Sequence, residues 1–97
     1  MAADESQQKM QAGDQASHLL ESQAMKDAVL RLRNTYVESW MQAKTVEARE
    51  DCHRCIVALA DLLKDLKSTI TTGQLTRKRL DTLQDNAPQT WVERLNG

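Results

Sequence analysis

The sequence predicts an all-α fold, an antiparallel helical hairpin of two long amphipathic helices, on three observations. Gly and Pro number only three and one in 97 residues, so turn-rich β architecture has little to build with. Leu, Ala, Gln, Glu, Lys and Arg, the strong helix formers, dominate the chain. Apolar residues recur at the helical period over two stretches, with a break near Thr45.

Residues 1–16 (MAADESQQKMQAGDQA) are polar, lack an apolar period and include Gly13. They are expected to form a disordered tail, because they bury too little surface to offset their ordering entropy. The hairpin domain is placed at residues 17–85 and a C-terminal tail at residues 86–97. The first helix is expected to begin near Ser17 or Ser22, both suitable caps for exposed amide donors. Met25, Val29, Leu32, Tyr36, Trp40 and Ala43 then follow at spacings of 4, 3, 4, 4 and 3, which places them on one stripe. Leu30, Val37 and Met41 widen that stripe on one flank, while Arg31, Arg33, Asn34, Glu38 and Gln42 fall mainly on the other face.

Thr45 is expected to cap the second helix, with Glu47, Glu50 and Asp51 in the opening turns where the macrodipole favours negative charge. Cys52, Ile56, Leu59, Leu63, Leu66 and Ile70 alternate at spacings of 4 and 3, a heptad seam flanked by Cys55 and Leu62. Gly73 is a candidate left-handed cap. It also stays in phase with Leu59, Leu66 and Leu80, so the helix is expected to run on, kinked or straight, to Leu83. Pro88 is expected to stop it, with the exit at Asn86-Ala87. Thr90 and Glu93 then make a capping box around the small apolar face of Trp91, Val92 and Leu95. So short a segment is unstable alone and must dock, either on its own bundle or on a partner.

The same residues exclude function classes. One small domain has little room for a deep substrate cleft. No nucleophile lies beside a His base, no Gly-rich phosphate loop occurs, and the carboxylates are spread along solvated faces. The expectation is that the chain is not an enzyme and uses no catalytic residue, metal or cofactor. A net charge of −1 gives no electrostatic reason to seek nucleic acid or an anionic membrane. The longest apolar run, Ile56–Ala60, falls far short of the roughly 20 residues that span a bilayer. Met1–Met10 has neither the basic nor the apolar region of a secretory signal, and a cytoplasmic location is expected.

Two constellations carry potential chemistry. Cys52-His53-Arg54-Cys55 has thiols at metal or redox spacing. Zinc would need further ligands, however, and the other His, His18, lies well away in sequence. Both cysteines fall on the apolar side of the helix and read as small core hydrophobes. Arg77-Lys78-Arg79, helped by Lys67, could meet phosphates, which makes a nucleic-acid-associated packaging or regulatory protein the alternative reading. Equally, cations suit the C-terminal end of a helix.

Two helices alone would leave Leu30, Val37, Met41 and Leu62 partly wet, more apolar surface than monomers usually show. A homo-oligomer is expected, with a dimer of hairpins favoured and docking onto a different protein as the rival. Its interface would draw on Met25, Val29, Leu32, Tyr36, Trp40, Ile56, Leu59, Leu63, Leu66 and Ile70. Trp91, Val92 and Leu95 are the candidate partner-binding segment, since short amphipathic turns with an aromatic anchor are a common recognition mode.

Leu32…Tyr36…Trp40, Thr45 with Arg49-Glu50-Asp51, and the Leu-rich seam closing at Thr72-Gly73 and Leu80 together resemble one kind of small helical protein. Such proteins are encoded in tailed-phage and prophage genomes near virion structural genes. The resemblance covers residues 25–83. It implies an accessory protein, structural or linked to head assembly or DNA packaging, found in the host cytoplasm or the virion. That family mostly lacks an assigned activity, and no catalytic residue carries over from it.

Overall fold

A computed structural model describes the backbone of residues 2–96 and the side chains of residues 4–84. It contains three helices, α1 (Ala2–Glu21), α2 (Gln23–Gln42) and α3 (Val46–Asn96), and no strand occurs among the described residues. α1 and α2 follow one another along α3 and run opposite to it. Gly13 abuts Gly73, whereas Val29 shares a groove with Leu63 and Ile56, so higher numbers on one arm meet lower numbers on the other. The molecule measures 78 × 25 × 19 Å. The 51 residues of α3 span about 76 Å at the α-helical rise, so a single helix sets the length of the whole rod.

The reversal between the arms is short. Ala43 adopts an extended conformation (φ −62°, ψ 130°) and its N–H donates to the Trp40 carbonyl at 3.4 Å. Thr45 caps α3 as the sequence predicts, its hydroxyl accepting the Ala48 N–H at 3.1 Å. Glu47 sits in the first turn of α3, where it complements the helix dipole.

Ser22 alone separates α1 from α2, in an extended conformation (φ −66°, ψ 139°). Its hydroxyl accepts the Met25 N–H at 3.2 Å and donates to the Leu19 carbonyl at 2.8 Å. One side chain thus caps the start of α2 and adds a second donor to the Leu19 carbonyl, which the Ser22 N–H also reaches at 3.2 Å. The predicted cap is present, but it joins two helices instead of opening the first.

On α3 the predicted seam is the side turned from solvent. Cys52, Ile56, Leu59, Leu63, Leu66, Ile70 and Leu80 are half-buried and Gly73 is buried. The helix runs through Gly73, as the phase of Leu80 implies. Thr69, Thr71, Thr76 and Thr82 donate their hydroxyls to carbonyls four residues back, at 3.0, 3.1, 2.8 and 2.9 Å. Their polar groups are thereby satisfied within the helix instead of competing with it. The predicted stop at Pro88 is corrected, because α3 continues to Asn96. Proline removes one donor, whose acceptor would be the Gln84 carbonyl; Gln84 is exposed, so water can replace the missing bond.

The larger correction concerns the N-terminal segment. Residues expected to be disordered through position 16 are helical from Ala2. Their sheltered side is Ser6, Met10, Gly13, Ser17 and Leu20, with Ala16 beside it. Those spacings of 4, 3, 4 and 3 form a heptad line, but Ser6, Gly13 and Ser17 interrupt its apolar Met10 and Leu20, so hydropathy displays it weakly. The reason it packs is geometric. A Cβ on Gly13 would lie 3.1 Å from Gly73 Cα and 3.2 Å from the Thr69 carbonyl oxygen. A Cβ on Gly73 would lie 3.0 Å from the Lys9 carbonyl oxygen and 3.1 Å from Gly13 Cα. Two glycines therefore bring backbone against backbone, and dense van der Waals contact replaces interlocking apolar side chains.

Replacing Gly73 with Leu should push α1 off α3 at a cost of about 1–3 kcal/mol. Hydrogen exchange across residues 2–21 should accelerate while α2 and the facing half of α3 stay protected; unchanged protection of α1 would contradict the docking. Ser22→Ala should cost about 1 kcal/mol in urea unfolding, and Ser22→Asp, which keeps the accepting oxygen but cannot donate to the Leu19 carbonyl, should recover only part of it.

Candidate interaction surface

Two-layer packing leaves little of the side-chain surface enclosed. Among the described residues Ala16, 5% exposed, is the single buried hydrophobic side chain. Leu30, Met41 and Leu62 are 58%, 72% and 49% exposed, and Val37 is half-buried. Of the residues assigned to an oligomer interface, Met25, Val29, Tyr36, Ile56, Leu59, Leu63, Leu66 and Ile70 are half-buried. Leu32 and Trp40 are exposed, so Trp40 does not close the end of the rod beside the turn.

The exposed apolar surface has a definite shape along α2 and α3. Leu20, Met25, Val29, Leu30 and Leu63 line a groove. Through Val29 and Leu63 it continues to Ile56, Leu59 and Ala60. Its charged lining residues are Lys26 and Arg33, both cationic. Neither forms an ion pair among the described residues. Spacing identifies Leu30 as a flank residue, but Arg33, expected mainly on the other face, lines the groove, and that Ala60 forms the opposite wall also needed the structure.

The two constellations with potential chemistry are arranged differently from their appearance in sequence. Cys52 is half-buried on the seam, but Cys55 is exposed, which corrects its reading as a core residue. The physical cause is its place on the flank of the seam, where α2 does not cover it. Among the described residues no three His, Cys, Asp or Glu side chains gather as a metal-binding group. Arg77, Lys78 and Arg79 are consecutive on α3, so they project in three directions about 100° apart. They therefore make no continuous cationic patch.

Arg77 is turned across to α1. Its guanidinium donates to both carboxylate oxygens of Asp14, at 3.0 and 3.4 Å, a forked contact between residues 63 apart in sequence. The hydrogen bond to Asp14, and then the charge of Asp14, raise the Arg77 pKa above its ordinary value. Stability gained from a raised pKa is complete below the unfolded value and is lost only as pH climbs through the folded one. For arginine both values lie in the strongly alkaline range, so this pair brings no pH dependence near neutrality through Arg77. Both side chains are about half exposed, 51% and 54%, and act as a screened tether. The side chains of Trp91, Val92 and Leu95 lie outside the described ones. No helix among the described residues is long and apolar enough to cross a membrane.

Asp14→Asn should lower the melting temperature slightly at low ionic strength, and the difference should vanish in about 0.5 M salt, where exposed charges are screened. A salt-independent loss would mean that the contact acts through packing instead of charge.

No family model, curated protein or solved structure matches the chain.

Proposed function

We propose that this protein is a non-catalytic structural protein whose helical rods associate with one another and, once assembled, bind another protein. The observation that carries this reading is surface left over after folding. The chain exposes 7998 Å², whereas a compact protein of 11.0 kDa exposes about 5,600 Å². Its radius of gyration is 21.7 Å, against about 12.5 Å for a compact chain of this length. The excess, about 2,400 Å², is roughly three times what one partner contributes to an interface of standard size. The exposed surface includes large apolar side chains at Leu30, Trp40, Met41, Val57 and Leu62.

The surface available for association is long and shallow, which suits another rod or a helix better than a small molecule. The likeness of residues 25–83 to small helical proteins of tailed phages directs the reading to a phage or prophage setting, in head assembly or DNA packaging. Nothing in the arrangement of Arg77, Lys78 and Arg79 favours the nucleic-acid alternative.

Native mass by size-exclusion chromatography with light scattering is the test. The expected result is a species of at least twice 11.0 kDa, dissociating on dilution. A particle that keeps the monomer mass at every concentration would overturn self-association.

A further inference from the structure

α3 carries a second exposed line outside the seam. Cys55, Ala58 and Leu62, spaced three and four residues apart, are exposed and share one side of the helix. Asp61 and Asp65, also exposed, border this strip, and the Arg54 cation near its start is paired with Asp51 and Glu50. Leu62 follows Ala60 by two residues, about 200° around the helix. The strip and the groove wall formed by Ala60 therefore lie on opposite sides of α3.

The two surfaces differ in sign. Lys26 and Arg33 line the groove, Asp61 and Asp65 border the strip, and none of the four has an ion-pair partner among the described residues. A two-fold symmetric interface brings a patch against its own copy. Groove on groove would set Lys26 and Arg33 of one protomer against the same cations of the other, with no carboxylate lining either side. It would also set a concave surface on a concave one. Strip on strip would gather the aspartates in the same way. Groove on strip opposes unlike charges and gives the groove an apolar ridge to receive.

Resting on the self-association proposed above, we infer that copies of this chain join head to tail, the cationic groove of one protomer receiving the Cys55–Ala58–Leu62 strip of the next. Each protomer then uses two different patches. Two standard contacts take about 1,600 Å² from each copy, which fits within the surplus of about 2,400 Å². A contact of this kind does not close in two copies; it propagates into a ring or a filament.

Two variants of the full chain test this. Leu30→Asp places a charge in the groove and Leu62→Asp places one in the strip, both at exposed positions where helicity by circular dichroism should hold. Should Leu62→Asp lose helicity, Ala58→Lys serves in its place. The wild type is expected to form species larger than a dimer, and each variant alone should be monomeric. An equimolar mixture should give a one-to-one dimer and nothing larger, because only one intact groove and one intact strip remain. A wild type that stops at a dimer, a strip variant that still dimerises alone, or a mixture that stays monomeric would each overturn the head-to-tail arrangement. A monomeric wild type would instead remove the self-association on which it rests.

Discussion

A helix that lies against only one other helix shelters one side of itself, and along its described side chains this rod is two helices thick. That constraint explains why the seam residues of α3 stop at half-burial and why, among the described residues, Ala16 is the single enclosed hydrophobic side chain. The hydrophobic contribution per residue is correspondingly small, while the entropy lost on ordering the chain is not. What offsets it within one protomer is largely local. Helix-forming composition and the caps at Ser22 and Thr45 both act within a few residues. The same geometry leaves Leu30, Met41 and Leu62 in water, so the apolar surface that a globular domain would place inside becomes available between molecules.

Much of α3 was legible because its signal is redundant. Cys52, Ile56, Leu59, Leu63, Leu66 and Ile70 keep one phase over several turns, and Leu80 extends it past Gly73. The break at Thr45 was legible because capping chemistry and a change of phase coincide there. α1 was not, since its contact line uses Ser6, Met10, Gly13 and Ser17. A glycine counts against a helix in isolation, and only the presence of a second glycine at the matching place on the other arm turns it into a contact residue. That pairing joins positions 60 apart, which no local window contains.

The candidate surface was legible in its members but not in its sidedness. Leu30, Met41 and Leu62 could be named as exposed from the width of the two stripes. Whether Lys26 and Arg33 stand beside Ala60 or beside Leu62 depends on the direction in which the arms face each other, and periodicity within one helix does not specify it. The cationic run at Arg77 shows the opposite error. Neighbours in sequence diverge around a helix, and the residue that does find a charged partner finds Asp14 on the far arm.

The glycine pair does more than admit α1. Heptad seams are tolerant of slippage, because moving one arm by seven residues restores the same pattern of large against small. Here such a slip would set Gly13 against Leu66 or Leu80, and Gly73 against Ser6 or Leu20. At the closest point of the two backbones there is no room for a leucine. One alignment of the arms is thereby selected by exclusion, with no attractive contact needed to specify it. A rod that lacks an interlocking core thus still has a single length and a fixed placement of its surface charges.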